Sequence, residues 1–392
     1  MTLDNFPTTR PAFTANFARS QQLPPQVTFS RASSATAPAV PSPGTATGPN
    51  GPQLSDYDTP RFAWKDGKCQ GLLIEESRTN YLQHNSDFSN AAWYKRGTPA
   101  TAAPVTTAPD GTLTAQGAAI SPAANTYVLS VYTPQTNIAG GLVSTDLTNE
   151  WQYYSQQFTY VNSTDRFTVY PVQLGPNNYI GQELLGIVPT GKVTVSGWAK
   201  TDGSNIWVWG VQAEAGGFAT SLIPTSGATA TRAPDLCQIN NEELSSWYNS
   251  GGGTYVTEFN SLGQAGTIQV YLNFIKGSGG GRLEFNIDGT VYGWYQIPIR
   301  WGSGSPSLLN NVSNKTAMAH SWLTGEGGYS SNGITPIVTA AIDPAPGPYN
   351  PTGMAFGYAL YQDRGYGVSG YIQRFSYYPT RVPDESLEAL TQ

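Results

Sequence analysis

Apolar and polar positions alternate with a period of two along most of this chain. The clearest runs are TYVLSVYT (126–133), WQYYSQQFTYV (151–161), RFTVYPVQL (166–174), KVTVSGWAK (192–200) and NIWVWGVQAE (205–214). Alternation sends successive side chains to opposite faces, so each run predicts a half-buried antiparallel strand, and the Gly, Pro, Asn and Asp between runs predict turns. The second half repeats the style without repeating the sequence. TYVTEF (254–259) and TIQVYLNF (267–274) predict strands, and RLEFNIDGTVYGWYQIPI (282–299) predicts a hairpin turning at Asp288-Gly289. AMAHSW, TPIVTAAI, MAFGYALY and GYIQRFSYY continue the pattern. The closing PDESLEALTQ predicts a short helix. Pro383 suits its first turn, Asp384 and Glu385 favour the positive end of its dipole, and Leu387 and Leu390 share a face.

The pattern is interrupted twice. Residues 1–60 carry Pro7, Pro11, Pro24, Pro25 and the stretch APAVPSPGTATGPNGPQ (37–53), with Phe6, Phe13, Phe17 and Phe29 as spaced anchors. They are expected to form an extended arm with no core of its own, ordered against a partner. The second interruption is TSGATATRAPDLCQINNEELSSW (225–247). The expected fold is therefore all-β: the arm over 1–60, a first jelly-roll sandwich with a preceding clamp segment over 61–235, and a second jelly-roll sandwich over 236–392 ending in the short helix. No short-period repeat is visible, which disfavours a propeller or solenoid.

Composition narrows the function classes. Of 392 residues, 43 are Gly and 29 Pro, and only 12% are charged, as many tight turns require. The net charge of -6 is spread without runs or a basic stripe, so nucleic acid is not an expected partner. No window approaches ~18 consecutive apolar residues, so no membrane span is expected. The start, MTLDNFPTTRPAF, does not have the form of a signal peptide, so synthesis in a cytoplasm is expected. Cys69 and Cys237 are too few for a disulfide framework, although a bridge between them is sterically conceivable. His84 and His320 stand apart from other metal ligands, so no zinc site is expected.

Motifs for catalysis are missing. There is no G-x-S-x-G elbow and no P-loop; GSGGGR (277–282) lacks the Lys-Ser/Thr end and reads as a loop. Glu75 and Glu76 point to opposite faces of an extended strand and make no catalytic dyad. No cofactor is expected. Aromatics, at 12%, are the chemistry that remains: they fill cores, and they also stack on pyranose rings. Trp151, Tyr153 and Tyr154 cluster on one strand and Trp207 and Trp209 lie on one face of another; core packing is the simpler account of each of these and of the second-half cluster alike. Trp294, Tyr295, Trp301 and Trp322 cluster in the second half and are the candidate glycan-binding residues.

Several segments together resemble a module of phage structural proteins: TFSRASSAT from Thr28, TPRFAW from Thr59, GLLIEESRTNYL from Gly71, SDFSNAAWYKRG from Ser86, and WVWGVQAEAGGFATSLIPTSGATATRAPD from Trp207. GYIQRFSYYPTRVPDESLEALT, from Gly370, resembles the close of laminin-G/concanavalin-like jelly rolls in such proteins. The resemblance implies a non-enzymatic virion protein of tail-fibre, receptor-binding or capsid-decoration type. Such proteins are often oligomers, most simply trimers, displayed on the particle, but the resemblance implies no shared ligand; attachment to other virion proteins through the arm is expected from residues 1–60, and binding of a host-cell glycan from the abundant Tyr and Trp. Jelly rolls of this style often hold a calcium ion, for which Asp343 and Asp363 are the candidates. A glycan-active enzyme such as a depolymerase and a cellular carbohydrate-binding module are the alternatives. The residues of the first block also suggest a structural clamp. Arg31, Arg61, Arg78, Glu75 and Glu76 carry complementary charges, and an Arg fork matches a carboxylate.

Overall fold

The computed structural model describes residues 7–37, 53–65, 67–97, 101–112, 114–118, 121–133, 136–162, 166–174, 177–184, 186–262, 268–275, 282–286, 291–295, 299–301, 312–339, 348–357 and 369–392, and strand counts refer to these. They form antiparallel sheets with three short α-helices, so the fold is all-β. No helix among them is long and apolar enough to cross a membrane. Both cysteines are free thiols.

Four large sheets face each other in two pairs. In the first pair, an eight-stranded sheet runs in the order Ile337–Thr339, Gly327–Ser331, Ser313–Ser321, Gly252–Ser261, Gly370–Tyr378, Lys68–Ile74, Arg61–Lys65, and Phe13–Ala15 also pairs with Gly370–Tyr378. A seven-stranded sheet runs Thr28–Ser30, Leu236–Asn240, Gly353–Phe356, Ile268–Ile275, Arg282–Asn286, Val291–Tyr295, Ile299–Trp301. Tyr255, Phe259, Phe375 and Tyr377 from one sheet and Ile239, Leu272, Met354 and Phe356 from the other make the core between them.

This pairing divides the chain differently from the expectation. The segment read as an arm without a core of its own is built into the C-terminal sandwich. It supplies one strand to each sheet, and Phe13, Ala15, Phe17 and Val27 are buried in the shared core. Phe13 stacks on Trp247 with ring centroids 4.8 Å apart, and Phe17 meets Phe356 edge-on at 5.9 Å. Strands of three residues leave no readable alternation, which is why the segment looks coreless in sequence. The strands at 61–74 belong to the same sandwich, so the expected boundary at 60/61 separates nothing. Close approach there depends on Gly71. Its φ is +110, and a Cβ would collide with the Ile372 carbonyl on the neighbouring strand.

The second pair of sheets is an insertion, entered at Arg78–Asn80 and left at Ala230–Arg232. Those two strands pair with each other as a neck. A five-stranded sheet runs Gln152–Tyr160, Gly191–Thr201, Ile206–Ala215, Ala115–Ala118, Thr101–Thr106. A six-stranded sheet runs Thr136–Ala139, Tyr127–Thr133, Thr168–Gln173, Tyr179–Glu183, Tyr94–Arg96, with Leu142–Val143 also on Tyr127–Thr133. Val193, Val195, Val208 and Val211 of one pack against Leu129, Val131, Val169 and Ile180 of the other. The C-terminal helix, Asp384–Thr391, lays Leu387 on Val256, Ala317 and Ala319 of the eight-stranded sheet.

Candidate functional site

The clamp residues lie at the root of the insertion. Arg61 Nη1 is 2.8 Å from Glu75 Oε2, and Arg61 Nη2 is 2.5 Å from Asp235 Oδ2. Arg31 Nη1 is 3.1 Å from Asp235 Oδ1, and Arg232 Nη1 is 3.2 Å from Glu75 Oε2. All five side chains are buried. Most of their remaining valences are met locally, the Nε of Arg61 and of Arg232 excepted. Ser221 donates its N–H and its hydroxyl to Glu75 at 2.7 and 2.6 Å, the Glu75 N–H donates to Asp235, and Arg31 donates to the carbonyls of Ser33, Asp56 and Thr59. Burial pushes the Glu75 carboxyl up, but Arg232, Arg61 and the Ser221 hydrogen bonds outweigh it and hold the pKa at about 2. Glu76 and Arg78 form a separate pair alongside, 2.6 Å apart, with the Arg78 guanidinium over the Phe218 ring and against the backbone of Gly216. Asp235, Arg232 and Ser221 were not singled out in the sequence. They are remote in it, and only the return of the chain through the neck brings them to Glu75. The arrangement is a weld between the two sandwiches, in which every charge already has its partner.

The tryptophans divide. Trp322 is buried, contrary to the expectation of a rim position. It packs on His320 at 4.3 Å and Tyr349 at 5.1 Å, and its Nε1 donates to the Tyr248 hydroxyl at 3.3 Å. Trp294, Tyr295 and Trp301 lie on the last two strands of the seven-stranded sheet, where Gly293 pairs with Trp301 and Trp294 with Arg300. Their side chains lie outside the described residues, as do Asp343 and Asp363. Trp151, Trp198, Trp207 and Trp209 form a buried slab on the five-stranded sheet. Trp151 Nε1 donates to the Thr107 carbonyl and Trp209 Nε1 to the Thr114 hydroxyl, so these rings are committed to packing. Among the described residues no group of three or more His, Cys, Asp or Glu could hold a metal ion.

The six-stranded sheet carries a different surface on the side away from its core. Residues directly opposite in an antiparallel pair share a face. The pairs Ser130–Tyr170, Tyr132–Thr168, Thr168–Glu183, Gln173–Tyr179, Tyr179–Arg96 and Gly181–Tyr94 therefore place polar and aromatic side chains together, while Val131, Val169 and Ile180 face inward. Tyr170 and Tyr179 form a buried floor with ring centroids 4.7 Å apart, and the Tyr170 ring lies over Gly181, where a Cβ would meet it at 2.6 Å. Arg166 stands on this floor. Its Nη2 donates to the Tyr179 hydroxyl at 3.1 Å, its Nε to the Thr168 hydroxyl at 3.2 Å, and its guanidinium lies 5.1 Å from the centre of the Tyr132 ring. The Arg166 side chain remains 40% exposed, with Glu183 at 3.7 Å. Tyr94 and Arg96 form an exposed rim on the edge strand. Burial pushes the Tyr170 phenol up to about 12, so it stays a neutral hydrogen-bonding group at physiological pH. In RFTVYPVQL the alternation of Arg166, Thr168 and Tyr170 against Phe167 and Val169 was a legible sign of this face.

No protein-family model and no curated protein matches the chain. Among solved structures, it is similar to the CBM40 of the Ruminococcus gnavus IT-sialidase, solved bound to alpha2,6 sialyllactose, at 18% identity over 38% of this chain and 88% of that one, with a TM-score of 0.33. It is similar to the NanB sialidase of Streptococcus pneumoniae at 15% identity over 38% of this chain and 26% of that one, with a TM-score of 0.33. It is also similar to domain 4 of AbnA, a GH43 extracellular arabinanase from Geobacillus stearothermophilus, at 12% identity over 45% and 82%, with a TM-score of 0.30. At these identities and scores the likeness concerns the fold alone.

Proposed function

We propose that this protein is a non-enzymatic component displayed on the surface of a bacteriophage particle, of tail-fibre or capsid-decoration type, and that the tyrosine-floored face of its inserted sandwich binds glycan of the host cell. The observation that carries the binding reading is the Arg166 face itself. One side of a sheet whose other side makes the core is given over to Tyr94, Tyr132, Tyr170 and Tyr179 with fixed polar groups between them. Flat aromatic faces beside directional hydrogen-bonding groups suit the two sides of a sugar ring. The particle assignment is supported by the resemblance of segments 28–36, 59–64, 71–82 and 86–97 to phage structural proteins. The non-enzymatic reading is supported by the make-up of the face. Hydrolysis of a glycosidic bond ordinarily uses two carboxylates across the scissile bond, and of the described residues that the register puts here, one, Glu183, is a carboxylate.

The test is adsorption of purified protein to host cells and to their isolated surface polysaccharide. Tyr94→Ala, at an exposed position, is expected to weaken adsorption by about tenfold or more while leaving thermal unfolding unchanged, and Arg166→Ala to weaken it likewise while staying folded, since one contact of this kind contributes ~1–3 kcal/mol. Trp64→Ala, at an exposed site on the other sandwich, is expected to bind as wild type. Unchanged adsorption by both face variants would discard this face.

A further inference from the structure

We propose that the sugar held on this face is acidic, with its carboxylate received between Arg96 and Arg166. The inference rests on the reading of the face as a glycan site and adds the charge of its ligand. Both arginines border one residue: Arg96 is the direct cross-strand partner of Tyr179, on the same face by register, and Arg166 donates to the hydroxyl of the same tyrosine. Arg166 is held before any ligand arrives, by Thr168, by Tyr179 and by the Tyr132 ring beneath it. Those contacts use Nε and one N–H of Nη2, and among the described residues no hydrogen bond is drawn by Nη1. An Arg edge held in plane in this way presents a fork that matches a carboxylate.

The charge balance points the same way. Among the described residues two arginines stand on the face against one carboxylate, Glu183, in a chain whose net charge is -6. The local sign is therefore opposite to that of the molecule. Lys95, between Tyr94 and Arg96, lies on the other face by register and donates to the Ser89 carbonyl at 2.9 Å, so it does not take part. A neutral sugar would be served by the exposed Tyr94 and the half-buried Tyr132 and has no use for a second cation at the rim.

The experiment measures equilibrium binding of the full-length protein to four probes: an oligosaccharide ending in a nonulosonic acid, an oligomer of a hexuronic acid, and the carboxyl-reduced form of each. At least one acidic probe is expected to bind about tenfold or more tightly than its reduced form, because a hydrogen bond to a charged group contributes ~1.5–3 kcal/mol. Which acidic probe binds distinguishes a terminal acid from one within the chain. The preference is expected to shrink as salt is raised from about 0.05 to 0.5 M. Arg96→Gln and Arg166→Gln, both at solvent-accessible positions, are each expected to bring the ratio of acidic to reduced-form binding to about one. Equal binding of acidic and reduced forms overturns the inference and leaves the glycan reading standing. Failure of all four probes to bind also overturns it, and the glycan reading is then decided by the cell-adsorption test alone.

Discussion

Glu75 makes one carboxylate serve three tasks: it meets Arg61, meets Arg232 and accepts two hydrogen bonds from Ser221. Removing one member of such a buried set costs more than the set contributes, because the remaining charges stay buried without a partner. Glu75→Gln is expected to destabilise the protein by ~3–5 kcal/mol at neutral pH, read from denaturant midpoints. Its pH dependence has a definite sign. The folded pKa of about 2 lies below the ordinary glutamate value near 4.5. The stability this group contributes is therefore complete above about pH 4.5 and is lost as pH falls toward 2. Wild-type stability is expected to decline through that window, and Glu75→Gln is expected to decline less. At this scale the sequence revealed residue types better than partners. Arg31, Arg61 and Glu75 stood out as complementary charges, but Asp235, which joins the first two, could be found only once the chain had folded back. Trp322 was misplaced for a related reason. An indole signals equally a core and a sugar platform, and only burial separates the two.

Among the elements, the long alternating strands were legible because each is half-buried on a regular two-residue period. The C-terminal helix was legible because Pro383, Asp384 and Leu387 mark its start and its inner face. What escaped was the allegiance of short strands. Phe13–Ala15, Thr28–Ser30 and the strands at 61–74 look like arm and clamp in sequence, yet they are edge and interior strands of the C-terminal sandwich. A deletion of residues 1–31 is thus expected to unfold that sandwich rather than free it, with loss of cooperative near-ultraviolet dichroism. Phe17→Ala is the milder version: a fully buried ring at the start of the short helix Phe17–Ser20 is removed, at a cost of ~3–5 kcal/mol. Wild-type stability in that variant would show that the N-terminal segment is dispensable to the core.

Across the whole molecule, the insertion is tied to its host by a two-stranded neck and a buried ionic weld, so the two sandwiches should unfold together. A single calorimetric transition is expected for the wild type. Asp235→Ala, which strips Arg31 and Arg61 of a shared carboxylate, is expected to separate it into two. Two transitions already in the wild type would show that the weld does not couple the sandwiches. The strand Gly370–Tyr378 carries a further consequence, for biosynthesis. It is the partner of both Phe13–Ala15 and Lys68–Ile74, and Thr14 meets Ser376 from 362 positions away. At translation speeds of ~5–20 residues per second, the first strand leaves the ribosome roughly 20–70 s before its neighbour exists. The inserted sandwich contains all of its own large-sheet strands and is complete well within that interval. It is therefore expected to fold first on the nascent chain, while Phe13, Phe17 and an unpaired strand edge wait for the strand Gly370–Tyr378; proteolysis of stalled chains ending near residue 300 is expected to spare 78–232 and to cut the N-terminal segment.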